Sequence, residues 1–252
     1  MNPAPFLLVD IGNSRIKWAV ADLQGPIQPV GEVTTAQASP ELIQSLAQEF
    51  PLHEAIISSV VPRLNDSFTS AFSKRLRFVS ASLPGLSLRF DYPKPGELGA
   101  DRLAAAVAVK GDKQGPVIVV QCGTATAFTV LNGEGKLCGG VIAPGLRTQL
   151  DSLIGAAAQL PEIDLGQPEQ ALARSTAEAI RAGVILNYQG GVKEILRALI
   201  SELPSSRTPR IVLTGGDATY LSGALGLPHT LRPLLVFEGL RMIGASTLAT
   251  PS

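Results

Sequence analysis

Apolar residues come in short runs separated by small and polar turns. Phe6-Leu7-Leu8-Val9 is a continuous apolar run, as in a strand covered on both faces. Asp10-Ile11-Gly12-Asn13-Ser14 follows, and Ile16 to Ala21 predicts a second strand, with Trp18 and Val20 alternating against Lys17 and Ala19. Ser39-Pro40 opens a predicted helix carrying Leu42, Ile43, Leu46 and Phe50 at helical spacing. Ala55 to Val61 predicts a buried strand ending at Pro62, and Leu76 to Val79 a short one. The Pro- and Gly-rich stretch from Asp91 to Gly99 predicts a loop, and the Ala/Val/Leu run from Arg102 to Lys110 a helix.

The pattern then starts again. Val117 to Val120 predicts a strand, Gln121-Cys122-Gly123-Thr124-Ala125-Thr126 a turn, and Phe128 to Leu131 a returning strand. Asn132-Gly133 turns the chain into a third strand, Lys136 to Ile142. Ser175 with Glu178 predicts a capping box for a long helix reaching about Leu199. Ile211-Val212-Leu213 runs into Thr214-Gly215-Gly216-Asp217, and a closing helix is predicted from Glu238. Val9 to Asn13 and Val120 to Thr124 hold the same place in each half. The expected architecture is therefore two α/β lobes with a cleft between them, residues 1–112 and 113–252.

Composition narrows the chemistry. Of 252 residues, 45% are hydrophobic and 17% charged, a core-rich globular balance. Lys+Arg and Asp+Glu both number 21, so no basic excess points to nucleic acid or to an anionic membrane. No apolar run approaches the roughly 18–20 residues that cross a bilayer. Met1 to Pro5 carries no basic side chain, and the expected location is the cytoplasm. Cys122 and Cys138 are the two cysteines, read as reduced core thiols. His53 and His229 lie outside every motif.

Three glycine-containing turns each follow an apolar strand: Asp10 to Ser14, Gly123 to Thr126, and Thr214 to Asp217. An Asp at a strand end can hold hydrated Mg²⁺, and small residues let backbone N–H groups approach phosphate oxygens. Each turn alone is also ordinary turn chemistry; their order is what suggests a nucleotide site. No P-loop, Rossmann glycine motif, nucleophile elbow or His-Glu-x-x-His sequence is present. Gly99-Ala100-Asp101-Arg102 stands at a helix start, after a loop holding Tyr92. Its Asp is an ordinary first-turn charge or an orienting base for phosphoryl transfer to an alcohol.

Seven stretches carry a resemblance to type III pantothenate kinases. They are Asp10 to Ser14, Ser58 to Pro62, Glu97 to Arg102, Cys122 to Thr126, Gly139 to Leu146, Ser175 to Ile180 and Thr214 to Asp217. The resemblance implies two ribonuclease-H-like lobes of the actin-like, acetate and sugar kinase superfamily, with a nucleotide cleft between them. It implies a homodimer that phosphorylates pantothenate with ATP, Mg²⁺ and a monovalent cation, K⁺ or NH₄⁺. Carried over by residue, Asp101 is the proton acceptor and Asp10 faces Mg·ATP. Asp10, Ile11, Gly12, Asn13, Ser14, Arg15, Ile16 and Lys17 line the triphosphate, with Thr124 opposite. Tyr92, Gly99, Ala100, Asp101, Arg102 and Thr176 contact pantothenate.

One departure is specific. The family pattern Asp-x-Gly-Thr-Ala-x-Thr-x-Asp reads here with Gln121, Ala127 and Thr129. Gln121 replaces the carboxylate that binds the monovalent cation, so weakened cation dependence is expected. Two alternatives accompany the kinase reading: a degenerate paralogue that binds nucleotide or pantothenate as a regulator, and another kinase or phosphohydrolase of the same fold.

Overall fold

The computed structural model describes residues 6–110, 115–156, 163–166, 170–203 and 207–248. In chain order the elements are β1 (Phe6–Ile11), β2 (Arg15–Ala21), β3 (Gln28–Thr34), α1 (Pro40–Glu49), β4 (Glu54–Ser59), α2 (Asn65–Phe72), β5 (Leu76–Phe78), β6 (Arg89–Phe90) and α3 (Ala100–Lys110). They continue with β7 (Val117–Cys122), β8 (Ala125–Leu131), β9 (Lys136–Pro144), α4 (Leu146–Ala156), α5 (Thr176–Glu202), β10 (Arg210–Thr214), α6 (Ala218–Ser222), β11 (Thr230–Leu231) and α7 (Leu235–Leu248).

The chain divides into two compact units, residues 1–114 with 234–252, and residues 115–233. The division expected from the sequence, 1–112 and 113–252, keeps α7 with the second half. In the structure α7 packs on α3, β1 and β4, so it belongs to the first. Helical periodicity shows that a helix is apolar, but not which core it enters.

In the first unit the strand order is β3-β2-β1-β4-β5. β1 pairs antiparallel with β2 and parallel with β4; β2 pairs antiparallel with β3, and β5 parallel with β4. Helices on both faces explain the unbroken apolar run of β1. Leu7, Val9 and Ile11 pack with Ile43, Leu46, Phe68 and Phe72 from α1 and α2. Phe6 and Ile56 lie beside Gly244 of α7. All the β1 side chains except Asp10 are fully buried, each contributing about 1.5–3 kcal/mol of transfer free energy. Ser39 caps α1 by accepting from Leu42 N at 3.3 Å, with Pro40 at the first helical position.

The second unit repeats this topology. Its strands run β11-β10-β7-β8-β9, with β7, β8 and β9 an antiparallel meander and β10 and β11 parallel beyond β7. Ile118, Val120, Phe128 and Val130 pack with Ile185, Tyr188, Val192 and Leu196 of α5. Ser175 caps α5, accepting from Glu178 N at 3.3 Å. The Glu178 carboxylate reaches back to Arg174 N at 3.0 Å, one residue beyond the ordinary capping-box partner.

Candidate functional site

In the first unit, Asp10 is the penultimate residue of β1, opposite Lys17 on β2 and Ser58 on β4. Burial is the largest influence on its carboxyl, and the Asp101 charge adds to it; together they push its pKa up to about 6. Ser58 and Lys17 oppose the rise. The Ser58 hydroxyl is buried and makes no hydrogen bond of ordinary geometry, so its pull on Asp10 comes from proximity rather than a well-formed bond. The turn after β1 is closed by Gly12 N donating to Arg15 O at 2.9 Å. Two further bonds arrive from Thr35, just beyond β3: its hydroxyl donates to Gly12 O at 2.6 Å and its N–H to Ser14 O at 3.0 Å. Asn13, Ser14 and Arg15 at the tip are exposed. Glu32 of β3 holds Arg15 at 2.5 Å and approaches Lys17 at 3.9 Å.

Asp101 is the second residue of α3. Burial, the dominant cause, raises its pKa, while the neighbouring backbone N–H and Arg102 pull it down. Burial lowers the pKa of Arg102, and the charges of Asp101 and Tyr92 counter that. A Cβ on residue 99 would stand 2.6 Å from Asp101 Oδ1, so the glycine leaves the carboxylate its place. A cavity of about 600 Å³ adjoins this helix start, its wall formed by Ser59, Val60, Ser80, Ser82, Leu98 and Ala100 among others. Asp10, distant in sequence, thus lies within electrostatic reach of Asp101, and Arg102 within reach of both Asp101 and Tyr92, all in a single unit.

In the second unit the turn after β7 has the same plan. Gly123 N donates to Ala125 O at 3.1 Å, and Thr124 O accepts from Gly145 N at 3.0 Å and from the Thr148 hydroxyl at 2.6 Å. Gly123, Thr124 and Ala125 are exposed. The Pro144-Gly145 segment lies so close that a Cβ on residue 145 would stand 1.9 Å from Gly123 O. From the other side, Asp217 N donates to Cys122 O at 3.3 Å, bringing the Thr214-Gly215-Gly216-Asp217 loop against the same turn. Burial raises the Asp217 pKa, and Arg147 lowers it. Gln121, 8% exposed, has a buried Oε1 without a hydrogen-bond partner. Thr176, the first residue of α5, lines an apolar groove of about 680 Å³ with Pro144, Gln149, Leu153, Ile180 and Asn187.

Other groups read as structural. Burial pushes the Cys122 thiol up to about 11, which keeps it protonated at neutral pH, and neither Cys122 nor Cys138 is in a disulfide. His53 packs edge-on against Phe50 at 5.4 Å, and His229 Nε2 lies 2.8 Å from Ser222 Oγ. No helix among the described residues is long and apolar enough to cross a membrane. Thr35 and Thr148 carry no sequence signal, because a lone threonine in a polar stretch acquires meaning only from the carbonyl it meets.

A family model described as type III pantothenate kinase matches residues 6–198. A type III pantothenate kinase of Methylacidiphilum infernorum is 35% identical over 239 residues, covering 95% of this chain and 88% of the relative. Among solved structures, a Baf family protein of Campylobacter jejuni described as a transcriptional activator superposes with a TM-score of 0.64 at 19% identity, covering 97% of this chain and 100% of that one. An inorganic polyphosphate/ATP-glucomannokinase from Arthrobacter sp. strain KM gives 0.51 at 17% identity, covering 98% and 100%. At such identities the two structures speak to fold alone, and that fold is the two-unit actin-like one.

Proposed function

On the premise that this chain belongs to the type III pantothenate kinase family, we propose that it transfers the γ-phosphoryl group of ATP to the primary hydroxyl of pantothenate, giving 4′-phosphopantothenate and ADP. The observation that carries the residue assignment is the half-buried Asp101, its pKa raised, beside Arg102 and next to a cavity large enough for a small acceptor. Asp101 takes the hydroxyl proton as the acceptor oxygen forms its bond to the γ-phosphorus and the bond to the β-phosphate oxygen breaks. A carboxylate disfavoured by burial is a stronger base than one in water. Arg102, Tyr92, Gly99 and Ala100 hold the acceptor, and Thr176 reaches it in a homodimer.

The triphosphate is taken by Asp10 to Lys17 and by Thr124. Mg²⁺ suits Asp10: it binds through one or two carboxylates plus phosphate oxygens, and a cation there would offset the burial and the Asp101 charge that together raise the Asp10 pKa. When bound it neutralises charge on the transferred group. The monovalent cation suits this chain less well. Gln121 offers a buried neutral oxygen without a partner, a weaker ligand than a carboxylate. We therefore assign weak or altered dependence on K⁺ or NH₄⁺. Retention of Asp10, Asp101 and Arg102 favours turnover over a purely regulatory role. Two cysteines that form no disulfide, and a balanced charge, suit a cytoplasmic enzyme.

A coupled ADP-release assay with pantothenate, with a panel of sugars, and with no acceptor tests the proposal. Pantothenate-dependent, Mg²⁺-dependent release is expected. A sugar that outperforms pantothenate would overturn the acceptor, and nucleotide binding without product over hours would overturn catalysis.

A further inference from the structure

The two glycine turns share a device that lies outside every sequence motif. In each, a threonine from a separate segment donates its hydroxyl to one turn carbonyl at 2.6 Å: Thr35 to Gly12 O, and Thr148 to Thr124 O. The attachments are not incidental. Thr35 is 2% exposed and bonds the turn twice, through its hydroxyl and its N–H. Thr148 shares its carbonyl with Gly145 N, so that oxygen is held from two directions. Such short distances are typical of well-formed O–H···O bonds.

Fixing a carbonyl fixes the N–H on the other side of the same peptide bond. The described peptides are all trans, so the C=O and the following N–H point in opposite directions in one plane. With Gly12 O turned to Thr35, Asn13 N–H points away from it, at the exposed tip of the turn. With Thr124 O turned to Gly145 and Thr148, Ala125 N–H points away from α4, where Gly123, Thr124 and Ala125 are exposed. Backbone N–H groups presented by small-residue turns are donors suited to phosphate oxygens.

We propose that Thr35 and Thr148 are positioning residues for the nucleotide: each hydroxyl fixes one carbonyl of a glycine turn and so aims the next backbone N–H at a phosphate. The proposal rests on the reading that these turns take ATP. It differs from a plain structural role, which would lower stability and leave the relative affinities for nucleotide and acceptor alone.

The test uses the full chain with Thr35→Val and Thr148→Val, which remove the hydroxyl at nearly constant volume, and Thr35→Ser and Thr148→Ser, which restore it. Calorimetric titration with Mg²⁺ and a non-hydrolysable ATP analogue is paired with KM for ATP, KM for pantothenate, and the melting temperature. Each valine variant is expected to weaken nucleotide binding about three- to tenfold, the effect of one hydrogen bond. KM for pantothenate stays within about twofold in the same variants, since each lost bond holds a turn carbonyl assigned to the nucleotide rather than a group assigned to the acceptor. Serine restores nucleotide affinity. Because Thr35 is buried and its valine variant is the one at risk of misfolding, the half-buried Thr148 decides the matter alone if necessary. Wild-type affinity in Thr148→Val, or an equal loss for nucleotide and pantothenate, overturns the positioning role. Absence of analogue binding to the unmodified chain overturns the ATP reading itself, and the two failures are thereby distinguished.

Discussion

The turn after β1 and the turn after β7 are built alike and charged differently. Both follow a buried strand that returns antiparallel, both are closed by a glycine N–H, and both have a carbonyl held by a threonine hydroxyl. The first presents Asp10, held near Asp101 with a pKa near 6. The second presents Gln121, neutral and buried, with an oxygen that finds no partner. The backbone cradle is thus duplicated, whereas the strand-end carboxylate is present in one copy only; the second turn instead meets Asp217 from the loop after β10. A cradle of N–H groups needs only geometry, which the repeated topology supplies. Proton transfer and Mg²⁺ need ionisable carboxylates, and burying those costs free energy.

The largest expected effect comes from removing the base beside the first turn. Asp101→Asn keeps shape and polarity but cannot take a proton. In the coupled assay kcat should fall about 10²- to 10⁴-fold, the range of a general base. Near-normal turnover would remove Asp101 from the mechanism and leave the first turn no more reactive than the second.

Next is the close packing on which the second turn depends. In Gly145→Ala the new Cβ would lie 1.9 Å from Gly123 O, a backbone atom that cannot swing aside. Overpacking of this kind costs about 1–3 kcal/mol or more. Gly133→Ala, with nothing within 4 Å of the added Cβ, is the control. Denaturant melts of the pair should separate clearly; if they coincide, the Pro144-Gly145 segment is not seated on the turn.

The third effect concerns what the charge of the first turn costs the fold. A carboxylate whose folded pKa lies above its unfolded value destabilises the protein when ionised. For Asp10, with 3.8 as its ordinary value, the penalty begins above that pH and is complete above about 6. Asp10→Asn should therefore gain on the order of 3 kcal/mol at pH 8, the gain fading towards pH 4, although turnover is lost. A variant less stable than the parent at pH 8 would mean that Asp10 is held by favourable partners rather than strained by burial and Asp101.

Much of this comparison was legible in the sequence, and the missing parts share a cause. The strands β1 and β7, their glycine turns and the helix carrying Asp101 follow from apolar runs and turn residues. β3 escaped because it is an edge strand, with Pro29, Gly31 and a 45%-exposed Val30 in place of an apolar pattern. α2 and α4 escaped as well: Asn65-Asp66-Ser67 reads as a turn, and α4 follows a Pro-Gly pair. The roles given to Asp101, Arg102 and Thr176 came from family resemblance, since an Asp at a helix start is by itself ordinary. The proximity of Asp10 to Asp101, like the hydroxyl bonds of Thr35 and Thr148, is tertiary and has no local signature.

The smallest expected effect tests the asymmetry directly by restoring charge to the second turn. Gln121→Asp introduces a carboxyl at an 8%-exposed position. Without a counter-ion, burial favours its protonated form; with K⁺ or NH₄⁺ beside it, the ionised form is stabilised. Activity of the variant should depend on the monovalent cation, rising no more than about tenfold from none to saturating K⁺, equivalent to about 1.4 kcal/mol. The parent chain should change less over the same range. The readout is the ratio of the two cation responses, so a general loss of activity in the variant cancels. If the parent responds as strongly as Gln121→Asp, then the neutral amide already serves the cation, and the two turns are closer in chemistry than the charge difference implies.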